Sequence, residues 1–317
     1  MKFWWLIPIG IIMFLLISFV LVLSFICFKQ LFYSPRRKKP QEDEYALPQG
    51  KKYLPHHAEI LNWMKNVRNL PHEDMFVVSH DGLTLRGQYY ECKKGAPVEI
   101  LIHGYHGNSE RDMGGGIERC FSMGRNALLV DQRACGRSDG HIVTFGINES
   151  RDCLLWIDKV IERFGDDVKI VITGVSMGAA TVVMAAGRGL PENVRYVLAD
   201  CPYSSSDEII RTVMAGKGLP VKFLYPFVKL GARIYGGFRI KDASPLDEVK
   251  RSRTPIIFIH GDADDFVPAY MSEKLYEACT VKKQLVKIPN AAHVLAYITD
   301  KEGYVRALND FSAEIGF

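Results

Sequence analysis

The segment Gly174-Val175-Ser176-Met177-Gly178 sets a serine two residues from a glycine on either side. It follows an apolar run at 168–173 and opens a small-residue helical run at 178–186. A strand that turns sharply into a helix pushes such a serine out at the strand's C-terminal end, over the positive end of the helix. The turn is tight enough that side chains on its flanks would collide, so both flanks must be glycine. With glycine and serine each near ~7% of residues, the pattern alone arises by accident in roughly one chain of this length in ten. Its place on a strand–helix junction therefore carries more weight than the pentapeptide.

A serine hydroxyl is a weak nucleophile and needs a base, which an acid must orient. On such an elbow the chain order is serine, acid, histidine. Of the nine histidines only His260 and His293 lie beyond Ser176. His260 ends a strand candidate and precedes Gly261, which leaves no strand-end acid between it and that strand. His293 lies past the last strand candidate, in Asn290-Ala291-Ala292-His293-Val294, and is the expected base. The acid belongs at a strand end between serine and histidine. Asp262, Asp264, Asp265 and, one strand earlier, Asp200 all meet that requirement, and spacing does not choose among them.

The oxyanion of a tetrahedral intermediate needs two preorganised N–H donors. Met177, directly after the serine, supplies one. The second is expected from Tyr105, in the loop Leu101-Ile102-His103-Gly104-Tyr105-His106-Gly107-Asn108, where two glycines let backbone approach a substrate. His103 and His106 make an H-x-x-H pair without a carboxylate partner, a weak metal signal. No cofactor and no metal are expected.

These residues need strand ends to hold them. Apolar strand candidates at 98–102, 127–130, 168–173, 194–199, 255–259 and 284–288 alternate with helical stretches such as 147–164 and 179–188. That rhythm predicts a mostly parallel sheet with helices on both faces. Two apolar runs around Asp81-Gly82 predict a hairpin ahead of it. The stretch 204–246 has no strand candidate and carries Phe223, Leu224, Tyr225, Phe227 and Val228, so it reads as an inserted helical cap. Ile60, Leu61, Met64 and Val67 predict a short amphipathic helix over 56–70.

From Phe3 to Phe28 the chain carries no charge. That exceeds the ~20 residues needed to cross a bilayer and the ~7–15 residues of a signal-peptide core, and no A-x-A-like site follows. Trp4, Trp5 and Tyr33 flank it as interfacial anchors. The expected organisation is a transmembrane anchor at 1–30, a linker and short helix at 31–74, and a catalytic domain at 75–317 that includes the cap. Lys29, Arg36, Arg37, Lys38 and Lys39 after the helix, against Lys2 before it, put the catalytic domain in the cytoplasm by the positive-inside rule. Six cysteines beyond the helix agree with a reducing compartment, and the seven in all form no C-x-x-C pair.

Of the 317 residues, 48% are hydrophobic and 24% charged, which excludes a disordered chain. The net charge of +4 is concentrated before residue 56, where eight basic residues face three acids. The remainder is near neutral, which argues against a nucleic-acid partner.

Residues 75–317 resemble an α/β-hydrolase of the serine aminopeptidase-like (S33-type) group, which includes many membrane-anchored bacterial hydrolases. The matching pieces are His103-Gly104-Tyr105, Asp131-Gln132-Arg133 through Gly136-Arg137-Ser138, the elbow, His260-Gly261-x-x-Asp264-x-x-Val267-Pro268, and Ala292-His293. The resemblance implies Asp264 as the acid, hence a Ser176–His293–Asp264 triad. Ala134-Cys135-Gly136 stands where the group usually has Gly-His-Gly, a departure in a supporting loop. The implied activity is cleavage of esters or related acyl bonds; the apolar cap and the membrane anchor point to a small-molecule acyl substrate that is hydrophobic. An aminopeptidase using Asp207, Glu208 or Asp242 of the cap, and a non-catalytic scaffold, are the alternatives.

Overall fold

A computed structural model of the chain describes residues 6–35 and 44–317. Lys2, Trp4, Trp5 and Arg36-Arg37-Lys38-Lys39 lie outside the described residues. Helix α1 (Leu6–Leu31) is apolar apart from Ser18, Ser24 and, near its end, Lys29 and Gln30. After α2 (His57–Asn69) the hairpin of β1 (Glu73–Val78) and β2 (Thr84–Tyr90) turns at Gly82, whose φ is +81°. Then follow β3 (Val98–Ile102), α3 (Ser109–Ser122), β4 (Asn126–Val130), α4 (Glu149–Phe164), β5 (Ile170–Val175), α5 (Met177–Gly187) and β6 (Val194–Asp200). Helices α6 (Ser206–Gly216), α7 (Val221–Ile234) and α8 (Pro245–Val249) separate β6 from β7 (Ile256–Gly261). The chain closes with α9 (Tyr270–Ala278), β8 (Lys283–Ile288), α10 (Ala296–Thr299) and α11 (Lys301–Glu314).

The eight strands form one sheet in the order β1-β2-β4-β3-β5-β6-β7-β8. β2 pairs antiparallel with β1 and β4, and every other pairing is parallel. Parallel strands joined through helices are buried on both faces, so alternate residues serve two cores. Ile100 and Ile102 pack with Trp156, Ile157 and Val160 of α4 on one face. Leu101 packs with Met113 and Ile117 of α3 on the other, and beyond it Ile257 and Ile259 pack with Leu308 and Phe311 of α11.

One β3 residue breaks the apolar pattern. Glu99 is fully buried and is paired with Arg119 of α3 and, at 3.0 Å, with Arg125. Burial alone would raise its carboxyl, but the two guanidinium groups hold it at about 2. The Asp131-Gln132-Arg133 loop fastens four elements. Asp131 caps α3 through the Ser109 N–H at 2.9 Å, and Gln132 donates to the His103 carbonyl at 2.6 Å. Arg133 grips Asp152 of α4 at 2.6 and 2.7 Å and Asp81 of the hairpin turn at 2.9 Å.

The stretch between β6 and β7 forms the expected helical cap, and it shares a core with the end of α1. Phe28 and Phe32 are buried among Tyr225, Val228, Ala232 and Phe238. The residues that begin the expected linker are held by the body: Tyr33 bridges to Ile142, and the Ser34 N–H donates to the His141 carbonyl at 2.8 Å.

Candidate active site

Ser176 sits between β5 and α5 at φ +55° and ψ −118°, a left-handed conformation that costs a non-glycine residue on the order of 1–3 kcal/mol. A Cβ on Gly174 would overlap the carbonyl oxygen of Gly178, and one on Gly178 would overlap the carbonyls of Ile102 and His103. Glycine at both flanks is therefore a packing requirement, as the turn argument demanded.

The loop after β8 carries His293 to this serine. Asn290 and Val294 both hold positive φ, +60° each, so the loop folds back over the end of β7. His293 Nε2 lies 2.9 Å from Ser176 Oγ, and Nδ1 lies 2.6 Å from Asp264 Oδ2. The carboxylate accepts the hydrogen bond from Nδ1–H, which leaves Nε2 as the acceptor facing the hydroxyl. Burial by itself would raise the Asp264 carboxyl, but hydrogen bonds from His260 and His293 hold it well below the usual carboxylate range. Its other oxygen accepts the Phe266 and Val267 N–H groups at 2.9 Å each. A fixed, charged acid, an imidazole in one tautomer and a hydroxyl at hydrogen-bond distance make an activated nucleophile. The fold is that of the α/β-hydrolases, and the three side chains stand in the geometry of a serine nucleophile with its base and acid.

The other acid candidates are engaged elsewhere. Asp262 accepts the Asn290 N–H at 2.6 Å, and Asp265 pairs with Lys52 at 2.8 Å on the surface. Asp200 accepts the Tyr304 hydroxyl at 2.9 Å, and its second oxygen has no partner among the described residues. Burial pushes Asp200 up to about 6.

The loop after β3 closes against the serine. A Cβ on Gly104 would stand 3.5 Å from Ser176 Cβ, so the Gly104-Tyr105 backbone passes over the nucleophile. Asp112 accepts the Gly104 N–H at 3.2 Å and ties the loop to α3. No backbone hydrogen bond uses the Tyr105 N–H among the described residues. Met177 opens α5, where the first N–H groups have no intrahelical acceptor. The two expected oxyanion donors thus flank Ser176 on converging backbone segments.

His103 and His260 are structural. His103 accepts the Gln132 N–H on Nε2 at 3.0 Å and so donates from Nδ1 to the Gly104 carbonyl at 2.7 Å, which engages both nitrogens. His260 donates from Nε2 to the Val267 carbonyl at 2.8 Å and accepts from Ser272 on Nδ1 at 2.6 Å. Its Nε2 also lies 3.4 Å from Asp264 Oδ2, so it braces the acid loop. Cys201, Asp264 and His293 bring a sulfur, an oxygen and a nitrogen within 4.8 Å of one another. The oxygen and nitrogen already bind each other, so a metal there would dismantle the pair.

Sequence reasoning missed the segment before α2. The Tyr53 hydroxyl donates to the His293 carbonyl at 3.1 Å, and Lys52 donates to the Ala263 carbonyl at 3.0 Å. Tyr53 and Pro48 join Tyr105, Phe266 and Trp63 around a cavity of about 220 Å³ that reaches Ser176. Pro- and Lys-rich composition gave no signal for that contact.

An α/β-hydrolase-fold family matches residues 97–237, and a serine hydrolase family matches residues 222–295. YqkD of Bacillus subtilis is 30% identical over 192 residues, 60% of this chain and 63% of that protein, so the chain spans less than two thirds of that relative. Bem46 of Schizosaccharomyces pombe is 23% identical over 254 residues, 78% of each chain. Among solved structures, the Pyrococcus furiosus esterase Pf2001 superposes with a TM-score of 0.62 at 20% identity, covering 88% of this chain and 99% of its own. Est1E of Butyrivibrio proteoclasticus, solved with ferulic acid bound, superposes with a TM-score of 0.58 at 24% identity over 76% of this chain and 98% of its own. These likenesses are of fold.

Proposed function

We propose that the chain is a membrane-anchored serine esterase in which Ser176, His293 and Asp264 are the catalytic triad. The observation that carries this reading is the relay of 2.6 and 2.9 Å from Asp264 through His293 to Ser176. Ser176 Oγ attacks the ester carbonyl while His293 Nε2 takes its proton. The Tyr105 and Met177 N–H groups bind the oxyanion, a role in which one donor is worth about 10²–10³-fold in kcat. His293 then protonates the leaving alcohol. Water, deprotonated by His293, attacks the acyl-enzyme and returns Ser176 to its starting state. Asp264 keeps the imidazole oriented and stabilises its cation in both halves.

An apolar α1 of membrane-spanning length supports the anchor, and an aromatic-lined cavity supports a small hydrophobic acyl substrate. Lys29 and the basic run after it favour a catalytic domain on the cytoplasmic side. The S33-type resemblance raises the aminopeptidase reading, which needs a free carboxylate in the cap. Asp207 pairs with Arg211 and Tyr225, Glu208 with Lys274 and Ser204, and Asp242 with Arg239, which favours the ester.

Labelling by a fluorophosphonate, together with hydrolysis of a p-nitrophenyl ester series, tests the proposal. Ser176→Ala abolishes both, and medium chains outrun acetate. Labelling that survives Ser176→Ala refutes the nucleophile, and acetate preference refutes the hydrophobic substrate.

A further inference from the structure

The outward surface of the cap helix α7 has three faces of different chemistry. Tyr225, Val228, Gly231 and Ala232 are buried, in a core shared by the body and the end of α1. Phe223, Phe227, Leu230 and Ile234 recur at spacings of four, three and four, which puts them on one stripe. Phe223 is 55% and Ile234 48% exposed, and Leu219, just before the helix, is 43% exposed. Lys222, Lys229 and Arg233 are exposed on the far side of that stripe and make no ion pair among the described residues. The helix holds no acidic residue.

This helix also lies directly against α1. A Cβ on Gly231 would overlap the Ser24 carbonyl oxygen, so the two backbones touch. Phe227 meets Phe19 edge-on at 6.3 Å, Tyr235 meets Phe25 at 5.1 Å, and the Tyr235 hydroxyl donates to the Leu21 carbonyl at 3.1 Å. Over this same stretch α1 still shows apolar surface away from α7, with Val22 at 58% and Ile26 at 49% exposure. Lipid deep enough to cover those residues also meets the stripe on α7.

We propose that α7 is a second membrane element: it runs alongside the end of α1, with its Phe223–Ile234 stripe against the acyl chains next to the headgroups and Lys222, Lys229 and Arg233 reaching anionic headgroups. This rests on the reading of α1 as a membrane span. An apolar stripe bordered by lysine and arginine is the pattern of a helix that seats at a membrane interface. The cap thereby faces the leaflet. The active-site mouth stands close by, because the Tyr105 hydroxyl of the oxyanion loop donates to the Leu31 carbonyl at the end of α1 at 2.7 Å.

Depth-dependent quenching tests this on the full chain in vesicles of phosphatidylcholine and phosphatidylglycerol. Cys27→Ser and Cys92→Ser remove the cysteines that are not buried. A bimane is then placed singly through Phe223→Cys, Ile234→Cys, Phe14→Cys in α1, or Glu162→Cys on the distant α4. Nitroxide-bearing acyl chains should quench positions 223, 234 and 14 several-fold more than position 162. Exchanging phosphatidylglycerol for phosphatidylcholine should weaken quenching at 223 and leave 14 unchanged; indifference at 223 overturns the headgroup assignment. Strong quenching at 14 with 223 and 234 equal to 162 overturns the proposal and leaves the anchor standing. Absence of quenching at 14 overturns both. Excimer emission from pyrene at 223 without nitroxide quenching assigns the stripe to a second copy of the chain, and overturns it too.

Discussion

The hydroxyl of Tyr53 donates to the backbone carbonyl of His293 at 3.1 Å, across 240 residues of sequence. One residue of an irregular segment thereby holds the loop that delivers the base. Burial pushes the Tyr53 phenol up to about 12, so it remains a donor throughout the working pH range. Tyr53→Phe keeps the ring on the cavity wall and removes only this bond. Unfolding free energy should fall by about 1 kcal/mol. Ester kcat/KM should fall by about fivefold, the same energy expressed as a rate. Denaturant melts and steady-state kinetics check both; unchanged kinetics would detach Tyr53 from the site.

Asp264→Asn should lower kcat by about 10⁴-fold with little change in KM, because the amide no longer enforces the proton on His293 Nδ1. Since the native carboxyl is held below its ordinary value, it stabilises the fold above the unfolded carboxylate range. That contribution disappears as pH falls through the depressed value. Acid melts of the two proteins should converge at low pH.

His260→Leu separates bracing from catalysis. It leaves the Val267 carbonyl and the Ser272 hydroxyl buried without their ring partner. The cost in stability should be about 2–3 kcal/mol. Fluorophosphonate labelling of Ser176 should persist at a reduced rate, since His293 and Asp264 remain. Complete loss of labelling in folded protein would give His260 a direct catalytic part.

Asp200→Asn should change the pH dependence of stability. The buried carboxyl is raised to about 6, so the native state favours the protonated form. Its stabilising contribution is present in full below the unfolded carboxylate value near ~3.9. It is lost as pH rises from there through about 6. The amide mimics the protonated acid and can still accept from Tyr304. The variant should therefore match the parent near pH ~4 and exceed it by on the order of 2–3 kcal/mol at neutral pH. Equal melting profiles at both pH values would contradict the burial argument.

Glu99→Gln leaves Arg119 and Arg125 buried without their carboxylate. Losing one partner of a buried ionic group costs about 3–5 kcal/mol. The parent carboxyl is held at about 2, so the deficit should shrink as pH falls from the ordinary carboxylate range toward that value. Urea midpoints across that range measure it.

The serine elbow was legible because its chemistry is local. One sharp bend demands Gly174 and Gly178 beside Ser176, and the apolar runs on either side state what the bend connects. Strand and helix alternation was legible because burial on both faces of a parallel sheet leaves period and length in the sequence. His293 followed from chain order together with its place past the last strand, since order by itself also admits His260. Tertiary structure decided what depends on contacts between distant segments. Spacing left four carboxylates open, and only the folded loops bring Asp264 within 2.6 Å of His293 while Asp200 meets Tyr304. Glu99 contradicts the apolar pattern of β3, and only α3 and Arg125, arriving from elsewhere, make it tolerable. The Tyr53 contact and the seating of α1 against α7 leave no periodic trace, since a hydroxyl meeting a carbonyl, or a glycine meeting a backbone, needs a single residue in place. A sequence records the rules each residue obeys with its near neighbours; which remote groups it meets is set by how the sheet and its loops close.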